Sequence, residues 1–303
     1  MTTPDDLLPT LFLLDFGDPP AGAAKPLPRL AETLGALRAR GARAVVAPGL
    51  KDLDALLRRF GDDPARTVVV GDEPSDVGAG RRAGCRTAGV LGGAGTREAL
   101  VAAGADFVAE DLGALPHLRP ALADRLRAAI PARRYAHSLG VAESARRLAA
   151  RFGADEDRAW LAGLLHDCAK GIPTDAQVAE CDRRGVALDA DARRCPAVAH
   201  GFLGAELART EYGVTDPEVL GAIRLHTVGG AGMRLLEKIV WLADYVEPNR
   251  AFPGVDELRA AAAGPSLDAA MRLAVRRQME VLAAKAAPAH PGLFALRDEL
   301  ERS

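Results

Sequence analysis

A histidine and an aspartate, His166 and Asp167, stand side by side at the end of an apolar, helical run that covers residues 159–170. Two strongly solvated groups against a core cost free energy unless they are paired or bound to a metal ion. Neutral imidazole and carboxylate together form the mixed ligand set that iron, manganese, cobalt or zinc accepts. An isolated pair of this kind is most often a surface ion pair, so the rest of the chain has to decide between the two interpretations.

The composition is that of an ordinary globular protein with room for two domains. The chain has 303 residues, of which 49% are apolar and 26% are charged, and its formal net charge is -2. This balance provides neither a basic field for nucleic acid nor a polybasic tail for a membrane, and no apolar run approaches the ~20 residues of a membrane span. The four cysteines show no CxxC spacing, and the acidic N-terminus does not resemble a signal peptide. We therefore expect a cytoplasmic protein with reduced thiols.

The first third of the chain alternates short apolar runs with helical periods. The predicted strands cover residues 11–14, 44–47, 67–70, 88–91 and 106–108. The predicted helices cover residues 27–40, 52–60, 77–83 and 97–102. This alternation indicates a Rossmann-like α/β domain with a parallel sheet. We place it at residues 1–114, because the prolines and glycine of residues 112–120 predict a hinge, in which His117 is a solvated linker residue.

Acidic residues follow two strands of this predicted sheet, where ligands gather in parallel sheets. Asp15 follows the first strand, and the segment Gly71-Asp72-Glu73-Pro74-Ser75-Asp76 follows the third. The second segment, continued to Cys85, resembles the acidic metal-binding motif of haloacid dehalogenase-like (HAD-like) phosphatases. The resemblance implies an aspartate nucleophile at Asp15.

Three departures from the HAD-like pattern argue against an active phosphatase. Asp18 stands three residues after Asp15, whereas the family places its acid/base aspartate two residues after the nucleophile. Ala47, Pro48 and Gly49 occupy the region where a phosphate-binding Ser or Thr is expected, and no convincing lysine precedes Gly71. Without an acid/base residue and a phosphate-binding side chain, the nucleophile lacks the groups that catalysis requires. We therefore favour a catalytically degenerate scaffold over an active phosphatase.

Beyond the hinge the pattern is entirely helical, and residues 115–303 predict an all-α domain. A capping-box pattern, Thr174-Asp175-Ala176-Gln177, is expected to open the third of its helices. The other helices are expected at residues 135–152, 155–170, 197–212, 217–226, 234–246 and 266–285. A polar end follows, in which His290 has no partner motif and is expected to be exposed.

Four of the six histidines fall on separate helices of this domain. The candidate ligands, in chain order, are His137, His166, Asp167, His200, His226 and Asp244. Their order resembles that of the HD-domain metallophosphohydrolases. Residues 134–143, 161–167, 226–227 and 238–250 are similar to the YqeK branch, whose members are symmetrical dinucleoside tetraphosphatases that cut diadenosine tetraphosphate into two ADP. The resemblance covers roughly residues 118–285.

Six ligand side chains exceed what one ion with an open position needs, so we expect two divalent ions, and the resemblance implies how the ligands divide between them. It implies that His137, His166, Asp167 and Asp244 surround one ion. His200 and His226 would hold the second, with Asp167 bridging the two. The oxygen and imidazole set is compatible with iron, which we expect, or with manganese or cobalt. A water between two cations has a lowered pKa and is expected to attack a phosphorus of the substrate.

Three basic residues beside the ligand motifs are candidates for stabilising the added negative charge: Arg134, Lys170 and Arg250. Lys170 and Arg250 are placed with Asp167 as catalytic candidates, since they lie at or beyond the ends of ligand-bearing helices. Thr227, next to His226, is a further candidate for contact with the substrate. The alternative for each basic residue is a solvated charge at a helix end.

Other functions stay open at this point. The ligand set specifies metal chemistry but not the nucleoside, so another nucleotide phosphohydrolase, such as a deoxynucleotide phosphatase, is the second candidate. A nucleotide sensor that binds without turnover is the third, although a pure sensor needs no metal-activated water. The expected partner is a dinucleoside polyphosphate or another nucleotide, and a homodimer is an assembly to be tested.

We predict that the isolated segment 1–114 lacks magnesium-dependent phosphatase activity, because it lacks the acid and the phosphate clamp. The measurement is turnover of p-nitrophenyl phosphate. Turnover that disappears in the variant Asp15→Asn would contradict the prediction.

Overall fold

The computed structural model describes residues 8–15, 29–47, 52–61 and 63–302. Their contacts separate two compact units, which adjoin in sequence between Leu122 and Ala123. The domain boundary after residue 114 stays a prediction. In the part of the chain that is described, no helix combines the length and the apolar character that crossing a membrane requires.

The first unit contains a five-stranded parallel sheet, which confirms the α/β prediction. Its strands are β1 (Leu11–Leu14), β2 (Arg43–Val46), β3 (Thr67–Gly71), β4 (Arg86–Val90) and β5 (Phe107–Ala109). They lie in the order β2-β1-β3-β4-β5, and every neighbouring pair is parallel. The central strands β1 and β3 are buried along their whole length. Continuous apolar strands of this kind are typical of a sheet that is covered on both faces.

Within the described residues of this unit, four helices alternate with the strands, as the sequence pattern predicts. They are α1 (Leu30–Ala39), α2 (Leu53–Phe60), α3 (Pro74–Arg82) and α4 (Arg97–Ala102). Helix α3 begins three residues earlier than predicted, because Pro74 occupies its first turn and the Asp76 carboxylate accepts a hydrogen bond from the Glu73 amide at 3.0 Å.

The acidic groups of the HAD-like motif lie at the carboxyl ends of β1 and β3. Asp15 is buried there, and the Asp72 carboxylate accepts a hydrogen bond from the Ala94 amide at 2.9 Å. Burial raises the pKa of Asp76 to about 6, and the neighbouring carboxylates of Asp15 and Asp72 also raise it. Asp18, Pro48 and Gly49, which carry two of the departures noted above, lie outside the described residues.

The predicted hinge is a buried element of the first unit. Residues Leu112–His117 form a 3-10 helix that packs against α1, and its first five residues are buried. His117 is half-buried, so the prediction of a solvated linker residue is wrong. The proline and glycine do mark a change of direction, but the apolar side chains of Leu112 and Leu115 gain more by packing than by exposure. Helix α5 (Pro120–Ala129) follows directly.

The second unit is all-helical, which confirms the prediction for this half of the chain. Its helices are α6 (Ala132–Phe152), α7 (Glu156–Leu165), α8 (Gln177–Arg183), α9 (Ala190–Arg194), α10 (Ala199–Thr210), α11 (Pro217–Leu225), α12 (Leu235–Val246), α13 (Val255–Ala262), α14 (Leu267–Ala284) and α15 (Pro291–Arg302). Helices α6, α7, α10, α11 and α12 form the packed core of this unit, to which α12 contributes the fully buried Trp241.

Glycines let the helices of this core approach closely. A Cβ atom on Gly163 of α7 would lie 2.8 Å from the Cα atom of Ala142 in α6. A Cβ atom on Gly201 of α10 would lie 2.8 Å from the carbonyl oxygen of Arg224 in α11. Both glycines stand within three residues of a candidate ligand, so the close approach of the backbones also brings the ligands together.

Several local predictions for this unit are wrong. Helix α7 ends at Leu165 instead of near residue 170, because Asp167 leaves the helical conformation and Cys168–Gly171 form a 3-10 helix. Thr174 does not cap a helix, since Thr174–Ala176 form a 3-10 turn and α8 begins only at Gln177. The predicted polar end contains α15, and His290 is half-buried, with its Nε2 atom 3.2 Å from the Asp189 carboxylate.

Candidate metal centre

The six candidate ligands lie together at the centre of the helical unit. His137 stands in the second turn of α6, the pair His166 and Asp167 follows the end of α7, His200 begins α10, His226 follows α11, and Asp244 lies in the last turn of α12. Five of the side chains are buried, and Asp244 is half-buried. Polar groups buried at this density require partners or a cation.

His137, His166, Asp167 and Asp244 form the first ligand group. The Nε2 atom of His137 lies 3.0 Å from Oδ1 of Asp244 and 3.2 Å from Nε2 of His166. The Nε2 atom of His166 lies 3.8 Å from Oδ2 of Asp167 and 3.9 Å from Oδ1 of Asp244. These atoms are close enough to one another to hold one ion. The ligand atoms of His137, His166 and Asp167 meet this condition even without Asp244.

Asp167, His200 and His226 form the second ligand group. The Nε2 atoms of His200 and His226 lie 3.3 Å and 3.7 Å from Oδ1 of Asp167, and they are 3.1 Å from each other. The Thr227 hydroxyl lies 3.1 Å and 3.0 Å from the same two nitrogens. Because Asp167 turns Oδ2 toward the first group and Oδ1 toward the second, it joins the two groups.

Backbone carbonyl groups set the proton positions on three of the four rings. Each ring donates through Nδ1 to the carbonyl oxygen three residues earlier: His166 to Gly163 (2.7 Å), His200 to Ala197 (2.8 Å) and His226 to Ile223 (2.6 Å). A carbonyl oxygen only accepts hydrogen bonds, so Nδ1 of His166 and His226 carries the proton and Nε2 of a neutral ring presents a lone pair. In His200 the Ala197 carbonyl oxygen, at 2.8 Å, is nearer to Nδ1 than Lys170 Nζ is, at 3.0 Å, and we assign the same tautomer. Fixing the outer nitrogen in this way is the usual arrangement of histidines that bind metals.

The lone pairs of these rings therefore face one another. Burial lowers the pKa of His166 to about 4, and burial also lowers the pKa of His200 well below its usual value. Both rings are consequently neutral near pH 7. The Nε2 atoms of His200 and His226 lie 3.1 Å apart, and neither can donate to the other when both rings carry their proton on Nδ1. The Thr227 hydroxyl can donate to only one of these two nitrogens at a time. The mixed imidazole and carboxylate set thus fits divalent transition metals.

His137 differs from the other three rings. Burial lowers its pKa, but the hydrogen bonds to Asp244 and Glu247 outweigh burial and raise the pKa to about 9. Without a metal ion the ring is therefore protonated at neutral pH. Burial raises the pKa values of Asp167 and Asp244, but the neighbouring histidines, and for Asp244 also Arg250, outweigh burial and lower both pKa values, so the two carboxylates stay ionised.

The three predicted basic residues all reach the centre. An Nη1 atom of Arg134 lies 3.2 Å from Oδ2 of Asp167, and Lys170 Nζ lies 3.0 Å from Nδ1 of His200. Arg250 donates from Nε to the Asp244 carbonyl oxygen at 2.7 Å and pairs with the carboxylate of the same residue. Burial lowers the pKa of Lys170 and opposes the charge on its ammonium group.

Sequence reasoning overlooked Glu247 as a member of the centre. Its Oε1 atom lies 3.0 Å from Nδ1 of His137, and the side chain is buried. The signal was an acidic residue beside Pro248 and close to Asp244, within a segment already identified for its family resemblance. His290 is engaged elsewhere, with Asp189.

We predict that filling the first ligand group releases about one proton near pH 7.5, because His137 has to lose the proton that a pKa of about 9 retains. The ring of His200 is already neutral and releases none. The affinity for one of two ions should therefore rise by about tenfold per pH unit up to about pH 9. The measurement is calorimetric titration of metal-free protein in buffers of different ionisation enthalpy.

The variant His290→Gln is the control for this measurement, since it removes a histidine outside the centre and should leave the slope unchanged. Affinities for both ions that stay constant between pH 7 and pH 9 would contradict the prediction.

Comparisons with known proteins identify similar families for both halves of the chain. The family model described as HD domain matches residues 134–249, and the model described as HAD-hydrolase-like matches residues 47–115. A crystal structure from Clostridium acetobutylicum, described as a predicted HD superfamily hydrolase involved in NAD metabolism, is 38% identical with a TM-score of 0.58. The similarity covers 60% of this chain and 97% of that one.

Two curated relatives carry the same description, bis(5'-nucleosyl)-tetraphosphatase, symmetrical. The protein from Bacillus subtilis is 42% identical over 164 residues, which are 53% of this chain and 86% of the relative. The protein from Halalkalibacterium halodurans is 38% identical over 167 residues, which are 55% of this chain and 88% of the relative. The chain belongs to the HD-domain family of symmetrical bis(5'-nucleosyl)-tetraphosphatases.

Proposed function

We propose that the protein hydrolyses diadenosine tetraphosphate symmetrically to two ADP at a centre of two divalent metal ions. The observation that carries the proposal is the division of the six ligand side chains into two groups joined by Asp167. The descriptions of the relatives from B. subtilis and H. halodurans support the choice of substrate.

The residues of each group define what they would hold. His137, His166 and Asp244 would bind one ion, His200 and His226 the other, and Asp167 would bind both through its two oxygens. Such ions supply Lewis acidity and an activated water for attack on phosphorus. We propose iron as the metal, since imidazole and carboxylate suit Fe, with manganese or cobalt as alternatives.

Basic side chains around the ligand carboxylates would bind the phosphate chain. The Arg134 side chain is 45% exposed although its guanidinium contacts Asp167, so it can also meet an incoming anion. Lys170 and Arg250 lie against His200 and Asp244 and would offset charge that develops on the reacting phosphate. Thr227, between two ligand nitrogens, would orient an oxygen of the substrate or the water. A nucleoside diphosphate is a good leaving group, so the reaction needs no dedicated proton donor.

The first unit is proposed to be a HAD-like domain without its own catalysis. The observation in support is that an oxygen of the Asp72 carboxylate is engaged by the Ala94 amide. A Cβ atom on Gly93 would lie 1.6 Å from the same oxygen, so the loop is built to sit against this aspartate. Asp72, which belongs to the segment that resembles a metal-binding motif, thus also has a structural role in holding this loop.

A second candidate is hydrolysis of another nucleotide. The description of the C. acetobutylicum structure, which refers to NAD metabolism, favours this alternative, and the ligand set itself does not select the nucleoside. A non-catalytic nucleotide sensor is the third candidate, although two complete ligand groups exceed what binding requires. A cytoplasmic location and a homodimer also stay predictions, to be tested by cell fractionation and light scattering.

We predict that the protein, purified without oxygen, contains about two ions per chain and converts diadenosine tetraphosphate into ADP alone. The reason is that both groups act on one phosphate bridge. The measurements are elemental analysis and chromatography of the products. ATP with AMP would indicate asymmetric cleavage and contradict the proposal, whereas a metal-loaded protein without turnover would favour the sensor.

We predict that Asp167→Ala abolishes activity and removes at least one ion, because this carboxylate belongs to both groups. Thermal stability should fall as well, since metal binding contributes to the free energy of folding. The control is Asp189→Ala, which removes an aspartate that caps α9 and contacts His290 outside the centre. Wild-type metal content and rate in Asp167→Ala would refute the bridging role.

A further inference from the structure

One of the four ligand histidines is oriented by a side chain instead of by the backbone. His166, His200 and His226 each donate to a carbonyl oxygen of their own helical turn, and Lys170 Nζ also lies 3.0 Å from Nδ1 of His200. His137 donates instead to Oε1 of Glu247, 110 residues later in the sequence, at 3.0 Å. The orientation of this ring therefore depends on an interaction that a single substitution can remove.

The Glu247 carboxylate is itself held tightly. The side chain is 1% exposed, and its Oε2 atom accepts a hydrogen bond from the Asn249 amide at 2.7 Å. The Asn249 side chain donates in turn to the carbonyl oxygen of Ala136, next to the ligand, at 3.2 Å. A Cβ atom on Gly140 would lie 2.2 Å from Oε2, so α6 leaves room for this carboxylate one turn after His137.

The backbone that carries Glu247 is fixed from outside the centre. Arg259 of α13 donates to the carbonyl oxygens of Val246 (3.1 Å), Glu247 (2.9 Å) and Arg250 (2.8 Å). These carbonyl groups follow the end of α12, where no further helical turn is present to satisfy them. Glu247 thus stands on a segment whose path is set by α13.

We propose that Glu247 is a positioning residue of the first ligand group, which keeps the proton of His137 on Nδ1 and directs the Nε2 lone pair toward the ion. The proposal rests on the proposed function only in taking the two groups as metal sites. Outer partners of metal-binding histidines typically contribute 10–100-fold to metal affinity. The second group, oriented by backbone carbonyls, should not depend on Glu247.

The test compares metal binding by full-length Glu247→Ala, Glu247→Gln and wild-type protein. Metal-free protein is titrated with Co²⁺, and the bound ions are followed by absorption and by elemental analysis. In Glu247→Ala we expect the affinity for one of two ions to fall by about 10–100-fold while the other is unchanged. Glu247→Gln should restore part of the loss, because its amide oxygen can still accept the Nδ1 proton.

The matched control is Glu237→Ala, which removes a buried glutamate from the first turn of α12, the helix that ends just before Glu247. The Glu237 carboxylate accepts a hydrogen bond from the Arg234 amide at 2.7 Å and caps the first turn of α12, away from the ligands. This variant should lose stability and keep both affinities. A general effect of losing a buried carboxylate would instead change the control and Glu247→Ala alike.

A second measurement does not depend on metal. Nitrogen-15 resonances of the metal-free protein report the protonation of each ring nitrogen, and the His137 signals should change in Glu247→Ala while those of His200 and His226 stay in place. If Glu247→Ala is poorly folded, the same comparison is made with Glu247→Gln, in which loss of the carboxylate charge should shift the His137 signals alone.

The results separate this inference from the proposed function. Wild-type affinities at both sites in Glu247→Ala, or equal loss at both, would overturn the positioning role. A wild-type protein that binds two ions but produces no ADP would refute the proposed substrate and leave the positioning role standing on its own titration. A wild-type protein that takes up no Co²⁺ would overturn both.

Discussion

The chemistry of the metal centre depends on buried histidine rings whose inner nitrogen atoms, Nε2, carry no proton. Three rings have committed their proton to an outer carbonyl group, and their inner lone pairs converge on the two oxygens of Asp167. Electron-rich atoms at 3.1–3.9 Å repel one another in a medium that screens charge poorly. A cation in each group would turn this repulsion into coordination.

The packing of the helices makes that convergence possible. Gly163 allows α7 to lie directly on α6, and its carbonyl oxygen accepts a hydrogen bond from Nδ1 of His166. Gly201 serves α10 and α11 in the same way, beside His200. Most of the ligands lie at or near helix ends, and the helix interiors supply the apolar core.

The features that could be predicted from the sequence were those that depend on residues close together in the chain. The order of strands and helices, the ligands His137 to Asp244 and the basic residues beside them follow from local patterns, and the structure brings these residues to one centre. His290 could not be placed, because its partner Asp189 lies 101 residues away. Glu247 was seen as part of a motif, but its role depends on contact with another helix.

Two local errors have a similar origin. The prolines and glycine of residues 112–120 are typical of a linker, yet Leu112 and Leu115 bury that segment against α1. Helix α15 was missed because its second half, residues 297–302, is mostly charged, although Leu293, Leu296 and Leu300 recur at helical spacing and are buried. Spacing was the better guide in both halves of the chain, since it reports which face is buried.

The ion pairs between basic residues and ligand carboxylates have a thermodynamic consequence. Arg134 contacts Asp167, and Arg250 contacts Asp244, so each guanidinium shares a carboxylate with a ligand group. An anion that draws either arginine toward itself returns negative charge to that carboxylate and thereby strengthens its hold on a cation. Because linkage is reciprocal, bound cations must in turn raise the affinity for the anion, so that cation and anion bind cooperatively.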